Sequence, residues 1–575
     1  MQQQPTSKIS NTRLDLFYGV VVLVFAIFIV RLFYIQVIQH KYYAQAAQNG
    51  QYKEYEIPAE RGIITAHDGD TSVPIVLNED TYTVFADPKY IKDPKKTAED
   101  VAKVVGGNPS DYEQKIQQPT RYAILAKRIS KSQNDQITGM ALKGIGLRTE
   151  SVRTYPQGAL AAQLLGFVND EGKGTYGIEQ ALDTQLRGKP GELKAITDVR
   201  GVPLAANGDN IRKDPTPGKQ VALTIDLGMQ RKVEDMLKDH VPSVKAKSGS
   251  VIVMDPYTGA IKAMANYPSY NPAEFYKVKD PGLFNNASVS YPFEVGSIMK
   301  TLTVAAGMNE GVINANTSYQ DPGYWKVDDA TIRNVEEDGG AATRSTADIL
   351  RYSLNTGATW VLMQLGGGKI NDQARNKWFD YLTKHYGFGK KTGIEQGYEA
   401  DGFVPDPNDG YGLNIQYANT AFGQGINITP IQFIAAFSAT INGGKYYKPH
   451  LVEPSDGKPI LVNGNALKPE ISEQMMAMHE NSVNKNYTFL KRTGYKVGGK
   501  TGTAEIPNPG GGYYDDRYNG TFVGYVGGDM PRYVIIVSMI EPHVPGYAGT
   551  KAAAPMFGKV VDMLINNYSI SPMTP

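Results

Sequence analysis

The longest apolar run of the chain lies near its N-terminus, where residues 16–38 are apolar at almost every position. A helix of about 23 residues spans roughly 35 Å, which is enough to cross a bilayer. Arg31 lies near the end of this run, where its long side chain can reach the lipid headgroups. We therefore predict a transmembrane anchor over residues 16–38, preceded by a polar tail over residues 1–15.

A cleaved signal peptide is the alternative to an anchor, because Ala44-Gln45-Ala46 has the small-x-small pattern of a cleavage site. That pattern lies well beyond the end of the apolar run, which favours an uncleaved anchor. Charge does not orient the segment, since Lys8 and Arg13 precede it while Arg31 and Lys41 lie at or after its end.

Beyond the anchor, the apolar positions come in shorter runs that predict two domains. Residues 50–215 alternate strand-like pieces, such as 82–85, with charged helical segments, such as 95–105. Glycines and prolines crowd residues 205–219, which predicts a linker. We therefore expect an α+β domain over residues 50–215 and a second domain over residues 216–568.

The second domain has longer continuous apolar runs, which predict buried helices and strands. The helices are expected at 300–308 and 431–440, and the strands at 250–254, 261–265, 521–526 and 533–539. A sheet that must bury apolar side chains on both faces needs helices on both sides. We therefore expect an α/β architecture with a helix-flanked sheet.

Composition excludes several kinds of site. The chain has 575 residues, a formal net charge of +1 and 41% apolar residues, which allows sizeable cores and gives no basic excess for nucleic acid. The absence of cysteine rules out disulfides, thiolate metal sites and a cysteine nucleophile. The seven histidines are scattered without metal-ligand spacing, so we predict neither a metal site nor a nucleic-acid partner.

The candidate chemistry begins with Ser297 and Lys300, which lie three residues apart at the start of a predicted buried helix. Residues three apart share a helix face, so the hydroxyl and the amine can touch. The first turn of a helix also presents N–H groups that suit a developing oxyanion. The same spacing recurs at 455–458 and 482–485, but neither copy precedes an apolar helix.

Two further patterns follow in chain order. Ser353 and Asn355 form a Ser-x-Asn pattern, and Lys500-Thr501-Gly502-Thr503 follows a pair of glycines. Ser-x-x-Lys, Ser-x-Asn and Lys-Thr-Gly in this order are the signature of serine β-lactamases and penicillin-binding proteins. The glycine-rich surroundings of Lys391, in a second Lys-Thr-Gly, indicate a loop. Other full or near copies of the two patterns occur at 132–134, 482–484 and 247–249.

Residues 494–501 also match the phosphate-binding pattern Gly-x-x-x-x-Gly-Lys-Thr. That loop requires a helix beginning at the lysine, whereas Pro507, Pro509 and a run of three glycines follow Lys500. The pattern therefore favours acyl transfer over nucleotide binding.

With these residues the chain resembles a class B penicillin-binding protein, a membrane-anchored peptidoglycan D,D-transpeptidase. The family usually has proline where Val295 stands, and Asp-Arg where Ala66-His67 stands, which puts the salt bridging of the first domain in question. Leu354 and the absence of a Glu-x-x-Leu-Asn segment argue against rapid hydrolysis of an acyl-enzyme. The resemblance covers nearly the whole chain through segments at 31–37, 58–64, 153–158, 177–179, 186–188, 223–226, 253–261, 422–425 and 429–430.

The resemblance implies a transpeptidase domain of the penicillin-binding and β-lactamase type, with an antiparallel sheet flanked by helices, after an elongated α+β pedestal. It implies that Ser297 attacks the carbonyl of the penultimate D-alanine while Lys300 takes its proton. Ser353 would relay a proton to the leaving nitrogen, and Asn355 would orient Lys300 and the substrate amide. Burial and the nearby cation of Lys500 are expected to lower the pKa of Lys300 so that it can act as a base.

The Lys-Thr-Gly strand is implied to bind substrate. Lys500 and the hydroxyls of Thr501 and Thr503, on either side of Gly502, would hold the terminal carboxylate. The backbone N–H groups of Ser297 and Thr503 would form the oxyanion hole. An amine of a second stem peptide would then attack the ester and form the cross-link.

The resemblance also implies the partners and the location. The substrates would be stem peptides ending in D-Ala-D-Ala, β-lactams would acylate the same serine, and no cofactor or metal would be needed. Residues 1–15 would be cytoplasmic, the catalytic domain would lie outside the cell membrane, and a divisome or elongasome glycosyltransferase would be a partner. Phe293, Glu294 and Met299 favour the septal-division branch. The alternatives are a D,D-carboxypeptidase and a non-catalytic β-lactam sensor or scaffold of wall synthesis.

Overall fold

The computed structural model describes residues 12–43, 52–196, 211–334 and 340–574. It divides into two compact units, of which the first comprises Met1–Arg61 with Arg187–Gly218 and the second Gly62–Leu186 with Lys219–Pro575. Several predictions concern residues outside the described ones. They are the tail residues 1–11, the Ala44-Gln45-Ala46 pattern of the alternative cleavage site, and the linker residues 205–210. The predicted domain boundaries stay predictions.

The first unit contains the apolar N-terminal helix. It runs over Thr12–Phe33 and continues as one wider turn over Tyr34–Ile38. The 25 residues Leu14–Ile38 are long and apolar enough to cross a membrane, as predicted, and their side chains are largely exposed. Arg31 stacks on Tyr34 near the end of this segment, with 5.7 Å between the guanidinium carbon and the ring centre.

A small antiparallel sheet completes the first unit, with Gly191–Ile196 paired between Tyr52–Ile57 and Ile211–Lys213. The prediction of a linker through residue 219 is therefore wrong at residues 211–213, which form a strand. Backbone pairing with 192–194 orders this short segment, and such pairing leaves no signature in the local composition.

The second unit begins with a five-stranded sheet in which Val221–Asp226 runs parallel to Ile64–Asp68. Helix Pro94–Val105 matches the charged helical segment predicted at 95–105, and it buries Ala98 and Val101 against this sheet. The remaining strands are Thr71–Ala86, Ala123–Ile129, Ile145–Thr154 and the short pair Phe167–Val168 and Gly174–Thr175. The remaining helices are Pro109–Ile116, Lys131–Gly139, Ala162–Leu165, Gly177–Ala181 and Asp183–Arg187.

A buried ion pair holds this part of the unit together despite the departure at Ala66-His67. Arg153 Nε donates to Glu179 Oε1 at 2.8 Å, and its other nitrogens donate to Asn78 and to the carbonyl of Gly62. Both charged side chains are at least 96% buried, so each needs the other to offset its lost hydration. His67 instead contacts Glu453, with 2.5 Å between Nε2 and Oε1.

The larger part of the second unit is built on a five-stranded antiparallel sheet. All four strands predicted for this domain belong to it, and the fifth is the Lys-Thr-Gly strand at one edge. The prediction of a helix-flanked antiparallel sheet is confirmed. The strand order is Ile261–Tyr267, Ser248–Met254, Pro531–Ile540, Tyr513–Gly527 and Lys496–Pro507.

Helices cover both faces of this sheet. Val251 and Val253 pack in the core with helices Leu227–Ser243 and Ala554–Asn567, whereas Ile252 packs on the opposite side. Alternate residues thus enter two cores, which is why the strand has no polar alternation. The remaining helices of this part of the second unit are Ala287–Ser290, Met299–Asn309, Thr346–Arg351, Asn355–Leu365, Asp372–Asp380, Leu413–Thr420, Pro430–Ser438 and Pro469–Asn486.

Short ribbons complete the unit. They pair Ser318–Asp321 with Ala342–Ser345, Tyr324–Val327 with Ala330–Arg333, and Tyr446–Tyr447 with Leu461–Asn463.

The predicted strand at 521–526 begins earlier in the structure, at Tyr513. The segment 513–518 is the first part of strand Tyr513–Gly527, in which Tyr518 pairs with Glu505 and Tyr513 with Pro507. Pro509 and the three glycines that follow it lie in the hairpin turn, and cross-strand pairing resumes directly after Gly512.

Glu234, on helix Leu227–Ser243, gives the second unit a pH-dependent stability. Its Oε1 accepts hydrogen bonds from Gln230 Nε2 at 2.7 Å and from the N–H of Ala161 at 2.8 Å. Burial raises the pKa of Glu234 from 4.5 to about 7 in the folded chain. Between these two values the folded state binds more protons than the unfolded state, so stability falls as the pH rises from about 4.5 to 7.

The variant Glu234→Gln is therefore expected to melt at a higher temperature than wild type at pH 8, with a gain of about 2 kcal/mol after allowance for partial exposure. At pH 4.5 and below the gain should vanish, because the glutamine accepts the same two hydrogen bonds. Thermal melts at pH 4.5 and pH 8 check this, with Asp239→Asn, an exposed carboxylate on the same helix, as the control. An equal shift at both pH values would show that the carboxyl of Glu234 keeps an ordinary pKa.

Candidate active site

The predicted nucleophile lies at the entrance to a fully buried helix. Ser297 occupies a single 3-10 turn, Gly296–Ile298, that leads directly into helix Met299–Asn309. Lys300 Nζ lies 2.9 Å from Ser297 Oγ, and the lysine side chain is completely buried. The spacing of three residues therefore produces the predicted contact between hydroxyl and amine.

Gly296 is required by the backbone of this turn. Its φ is +63°, which is the left-handed region, and its N–H donates to the carbonyl of Gly423 at 3.1 Å. A Cβ at Gly296 would lie 2.7 Å from the carbonyl oxygen of Thr503. The glycine thus lets the nucleophile turn pack directly on the Lys-Thr-Gly strand.

Ser353 joins the two lysines. It lies between helices Thr346–Arg351 and Asn355–Leu365, and its Oγ is 3.2 Å from Lys300 Nζ and 3.0 Å from Lys500 Nζ. Lys300 also donates to the carbonyl oxygen of Ser353. The φ of Ser353 is +59°, a left-handed conformation that costs about 1 kcal/mol or more in a residue with a side chain. The chain thus tolerates local strain to place this hydroxyl between two amines.

Lys500 is buried on the edge strand Lys496–Pro507, with 1% of its surface exposed. Its Nζ also donates to the carbonyl of Thr501 at 3.1 Å. Two buried amines that share one hydroxyl repel each other when both are charged. This environment favours the neutral amine that the predicted role of Lys300 requires.

The Lys-Thr-Gly strand presents alternate side chains to the cavity. Thr501 Oγ1 lies 2.8 Å from the hydroxyl of Tyr487, and Thr503 Oγ1 accepts from the N–H of Gly549 at 3.0 Å. Gly502 lies between them and is packed inside, where an added Cβ would meet Thr521 Oγ1 at 2.2 Å and the carbonyl of Val295 at 2.5 Å. Gly502 therefore allows close packing, while the two threonines line the cavity.

Asn355 lines the same cavity, but its side chain contacts a different group from the predicted one. Its Nδ2 donates to the carbonyl of Arg333 at 3.1 Å. Within the described residues it has no hydrogen bond to Lys300. Its proposed role in orienting Lys300 and the substrate amide stays a prediction.

The cavity has a volume of about 690 Å³. Five of the predicted residues line it, namely Ser297, Ser353, Asn355, Thr501 and Thr503, and the two lysines lie buried behind them. Sequence patterns did not single out most of the other lining residues, because they come from distant segments with no local motif. These are Arg351, Tyr352, Phe422, Gln424, Asn486, Tyr487, Glu505, Tyr518, Tyr547 and Thr550.

A buried carboxyl lies beside the nucleophile turn. Glu294 is 93% buried and accepts hydrogen bonds from the N–H of Gly425 at 2.8 Å and from the hydroxyl of Tyr513 at 3.1 Å. Burial raises the pKa of Glu294, and the neighbouring Glu505 adds to this effect. Burial, with the negative charge of Glu294, raises the pKa of Tyr513. The contact ties the tip of the edge hairpin to the segment before Ser297.

The hydroxyl of Tyr487 is expected to hold Thr501 in its binding orientation. Its ring is buried edge-on against Phe522, with 5.9 Å between ring centres. Tyr487→Phe keeps this packing and removes one hydrogen bond, so we expect wild-type stability and an acylation rate by penicillin about tenfold lower. Stopped-flow or gel-based acylation kinetics measure this. A rate equal to that of wild type would show that Thr501 needs no such partner.

Two families match the chain. Residues 56–223 match the penicillin-binding protein dimerisation domain, and residues 249–562 match the penicillin-binding protein transpeptidase domain. Stage V sporulation protein D of Bacillus subtilis is 30% identical, over 97% of this chain and 85% of that protein. The peptidoglycan D,D-transpeptidase FtsI of Escherichia coli is 26% identical, over 99% and 94%.

Solved structures share the fold. Penicillin-binding protein 2X from Streptococcus thermophilus superposes with a TM-score of 0.70 at 22% identity, over 90% of this chain and 83% of that one. Penicillin-binding protein 3 from Mycobacterium tuberculosis, complexed with aztreonam, gives a TM-score of 0.67 at 23% identity, over 91% and 98%.

These matches agree with the helix-flanked antiparallel sheet. The chain belongs to the penicillin-binding protein family, and its dimerisation and transpeptidase domains are those of a class B member.

Proposed function

We propose that this protein cross-links peptidoglycan stem peptides by D,D-transpeptidation through an acyl-enzyme on Ser297. One observation carries the proposal: Lys300 Nζ lies within hydrogen-bond distance of both Ser297 Oγ and Ser353 Oγ, and Lys500 Nζ contacts the same Ser353 hydroxyl. This continuous chain of exchangeable protons borders a cavity large enough for a peptide end.

Acylation begins when Lys300, as the neutral amine, takes the proton of Ser297. Ser297 Oγ forms a bond to the carbonyl carbon of the penultimate D-alanine, and the peptide C–N bond then breaks. Ser353 passes a proton to the leaving nitrogen and receives one from the lysines, so the amine of D-alanine departs neutral. The transfers among Ser297, Lys300 and Ser353 follow the hydrogen bonds described above.

The edge strand Lys496–Pro507 binds the donor peptide. Lys500 supplies positive charge behind the cavity, and the hydroxyls of Thr501 and Thr503 lie at its wall, where they hold the terminal carboxylate. The N–H groups of Ser297 and Thr503 stabilise the oxyanion. Gly296 and Gly502 support this role indirectly, because each lets the nucleophile turn lie directly on the strand.

The N-terminal helix and the relatives support the proposed location and partners. The protein is a single-pass membrane protein with its catalytic domain on the outer side, where peptidoglycan lies. Its partners include β-lactams and a wall-synthesis glycosyltransferase. Similarity to a peptidoglycan D,D-transpeptidase named FtsI supports the septal-division branch. Depletion in the host cell distinguishes the branches, since loss of septation gives filaments and loss of elongation gives round cells.

The test is labelling of the full-length protein in detergent by a fluorescent penicillin, compared with Ser297→Ala. Wild type should be labelled in proportion to active protein, and the variant not at all. Analysis of products from stem peptides with an amine acceptor then separates the transpeptidase from a carboxypeptidase, which releases only the shortened peptide. Folded wild type that takes up no label would falsify the proposal and favour a scaffold.

A further inference from the structure

Arg351 lines the active-site cavity, and its guanidinium has no hydrogen-bond acceptor among the residues that the structure describes. It is the last residue of helix Thr346–Arg351, two positions before Ser353, and is only partly exposed. None of its side-chain nitrogens donates to a carboxylate or carbonyl among the described residues, and its Nε is buried without any partner. Buried arginines rarely lack an acceptor, because an N–H group that is buried without a hydrogen bond loses its hydration without compensation.

Three other buried or partly buried arginines of the second unit pair with carboxylates. Arg153 contacts Glu179, Arg375 contacts Asp372, and Arg492 contacts Asp562. Of the described residues that line the cavity, Glu505 is the one carboxylate, and it accepts from Gln424 at 3.2 Å. No carboxylate among the described residues pairs with Arg351, whose positive charge lies beside the open cavity.

The position of Arg351 is fixed from two sides. Its guanidinium carbon lies 4.6 Å from the centre of the Tyr352 ring, and Arg344 lies over the same ring at 5.0 Å. Asn486 Nδ2 donates to the backbone carbonyl of Arg351, and the next residue, Tyr487, contacts Thr501. A stacked guanidinium loses little further freedom when it binds an anion, which suits it to planar, bidentate recognition of a carboxylate.

The acceptor amine must arrive on this side of the cavity. Ser353 gives a proton to the leaving nitrogen, and the attacking nitrogen of the second step takes the same place, because the second step is the reverse of the first in geometry. The neutral amine forms the C–N bond as the bond from the carbonyl carbon to Ser297 Oγ breaks. The proton lost by the amine returns through Ser353 and Lys300 to Ser297 Oγ. A group close to the attacking amine therefore lies within a few ångströms of the turn that carries Arg351.

We propose that Arg351 is a specificity-determining residue that binds a carboxylate of the acceptor, one carried on or near the carbon that bears the attacking amine. The favoured acceptor class is then an amino-carboxylate, such as the amino-acid end of a diamino-dicarboxylic residue, rather than a simple primary alkylamine. This inference rests on the proposed transpeptidation, because it assigns the acceptor of that reaction.

The experiment uses a thioester donor, which acylates Ser297 without a terminal carboxylate, and a matched pair of acceptors, D-alanine and D-alaninamide. Rates of transfer are compared at equal concentrations of free amine, because the amide lowers the basicity of the amine. Wild type should prefer D-alanine by about tenfold or more. Arg351→Gln should lose at least fivefold of this preference through slower transfer to D-alanine, and Arg351→Lys should keep part of it.

Arg532→Gln is the matched control, because its guanidinium stacks on Tyr533 at 4.9 Å in the same way but pairs with Asp255. Labelling by fluorescent penicillin verifies that each variant retains the site, and failure of wild type to label would contradict the proposed function instead. If Arg351→Gln lowered the rate of transfer to both acceptors equally, the arginine would only support the Ser353 turn. An unchanged preference would place the acceptor carboxylate elsewhere. Either result overturns the inference.

Discussion

Replacement of Lys300 by methionine is expected to lower the rate of acylation by penicillin about a thousandfold, within the range of general-base contributions. The amine lies 2.9 Å from Ser297 Oγ and is fully buried, so water cannot replace it as proton acceptor. Methionine fills nearly the same volume, and removal of a buried amine has little effect on folding. Acylation kinetics of the purified full-length variant measure the effect.

The matched control is Lys391→Met, the same substitution in the second Lys-Thr-Gly, whose lysine is exposed in a loop. It should be acylated at the wild-type rate. If Lys300→Met retained more than a tenth of the wild-type rate, another group would have to accept the proton of Ser297. Lys500 would be the next candidate, since its Nζ lies 3.0 Å from the hydroxyl of Ser353, which lines the same cavity as Ser297.

Substitution of Gly502 by alanine is expected to lower acylation at least a hundredfold and to destabilise the fold by about 1–3 kcal/mol. The added methyl group would lie 2.2 Å from Thr521 Oγ1 and 2.5 Å from the carbonyl of Val295, two residues before the nucleophile. Backbone cannot move aside by a rotamer change, so the nucleophile turn must separate from the strand. Melting temperature and penicillin acylation are measured together.

Gly510→Ala provides the comparison on the same hairpin, because the nearest atom to its added Cβ is 3.4 Å away. That variant should keep both the melting temperature and the acylation rate of wild type. Tolerance of alanine at Gly502 would mean that the strand and the nucleophile turn are less tightly packed than described, and would weaken the oxyanion-hole assignment to Thr503.

The helices and strands around the site could be predicted where burial is continuous. Helix Met299–Asn309 and strand Ser248–Met254 are buried at almost every position, and the apolar runs within them admit few alternatives in a folded domain. The strand at 513–518 was missed because it is polar and half-exposed. Its pairing with the Lys-Thr-Gly strand comes from cross-strand hydrogen bonds, which local composition does not encode.

The candidate site likewise has contacts that a local sequence pattern predicts and contacts that only the fold produces. The contact of Ser297 with Lys300 follows from a spacing of three residues on a helix, which is a local geometric fact. Tyr487 and Arg351 carry no motif, and only the fold brings them to the cavity. The contact of Asn355 with the carbonyl of Arg333 differs from the predicted role for a similar reason, because a short ribbon beside it supplies the acceptor.

Sequence patterns alone predict the apolar N-terminal helix, the two buried helices, four strands of the main sheet and the three patterns that point to acyl transfer. These are properties of neighbouring residues, fixed by helix and strand periodicity. Which copies of each pattern come into contact depends on the tertiary structure. The fold places Lys500 Nζ 3.0 Å from the hydroxyl of Ser353, 147 residues away. Contacts over such distances depend on how the whole sheet and its helices pack, and chain proximity gives no guide to them.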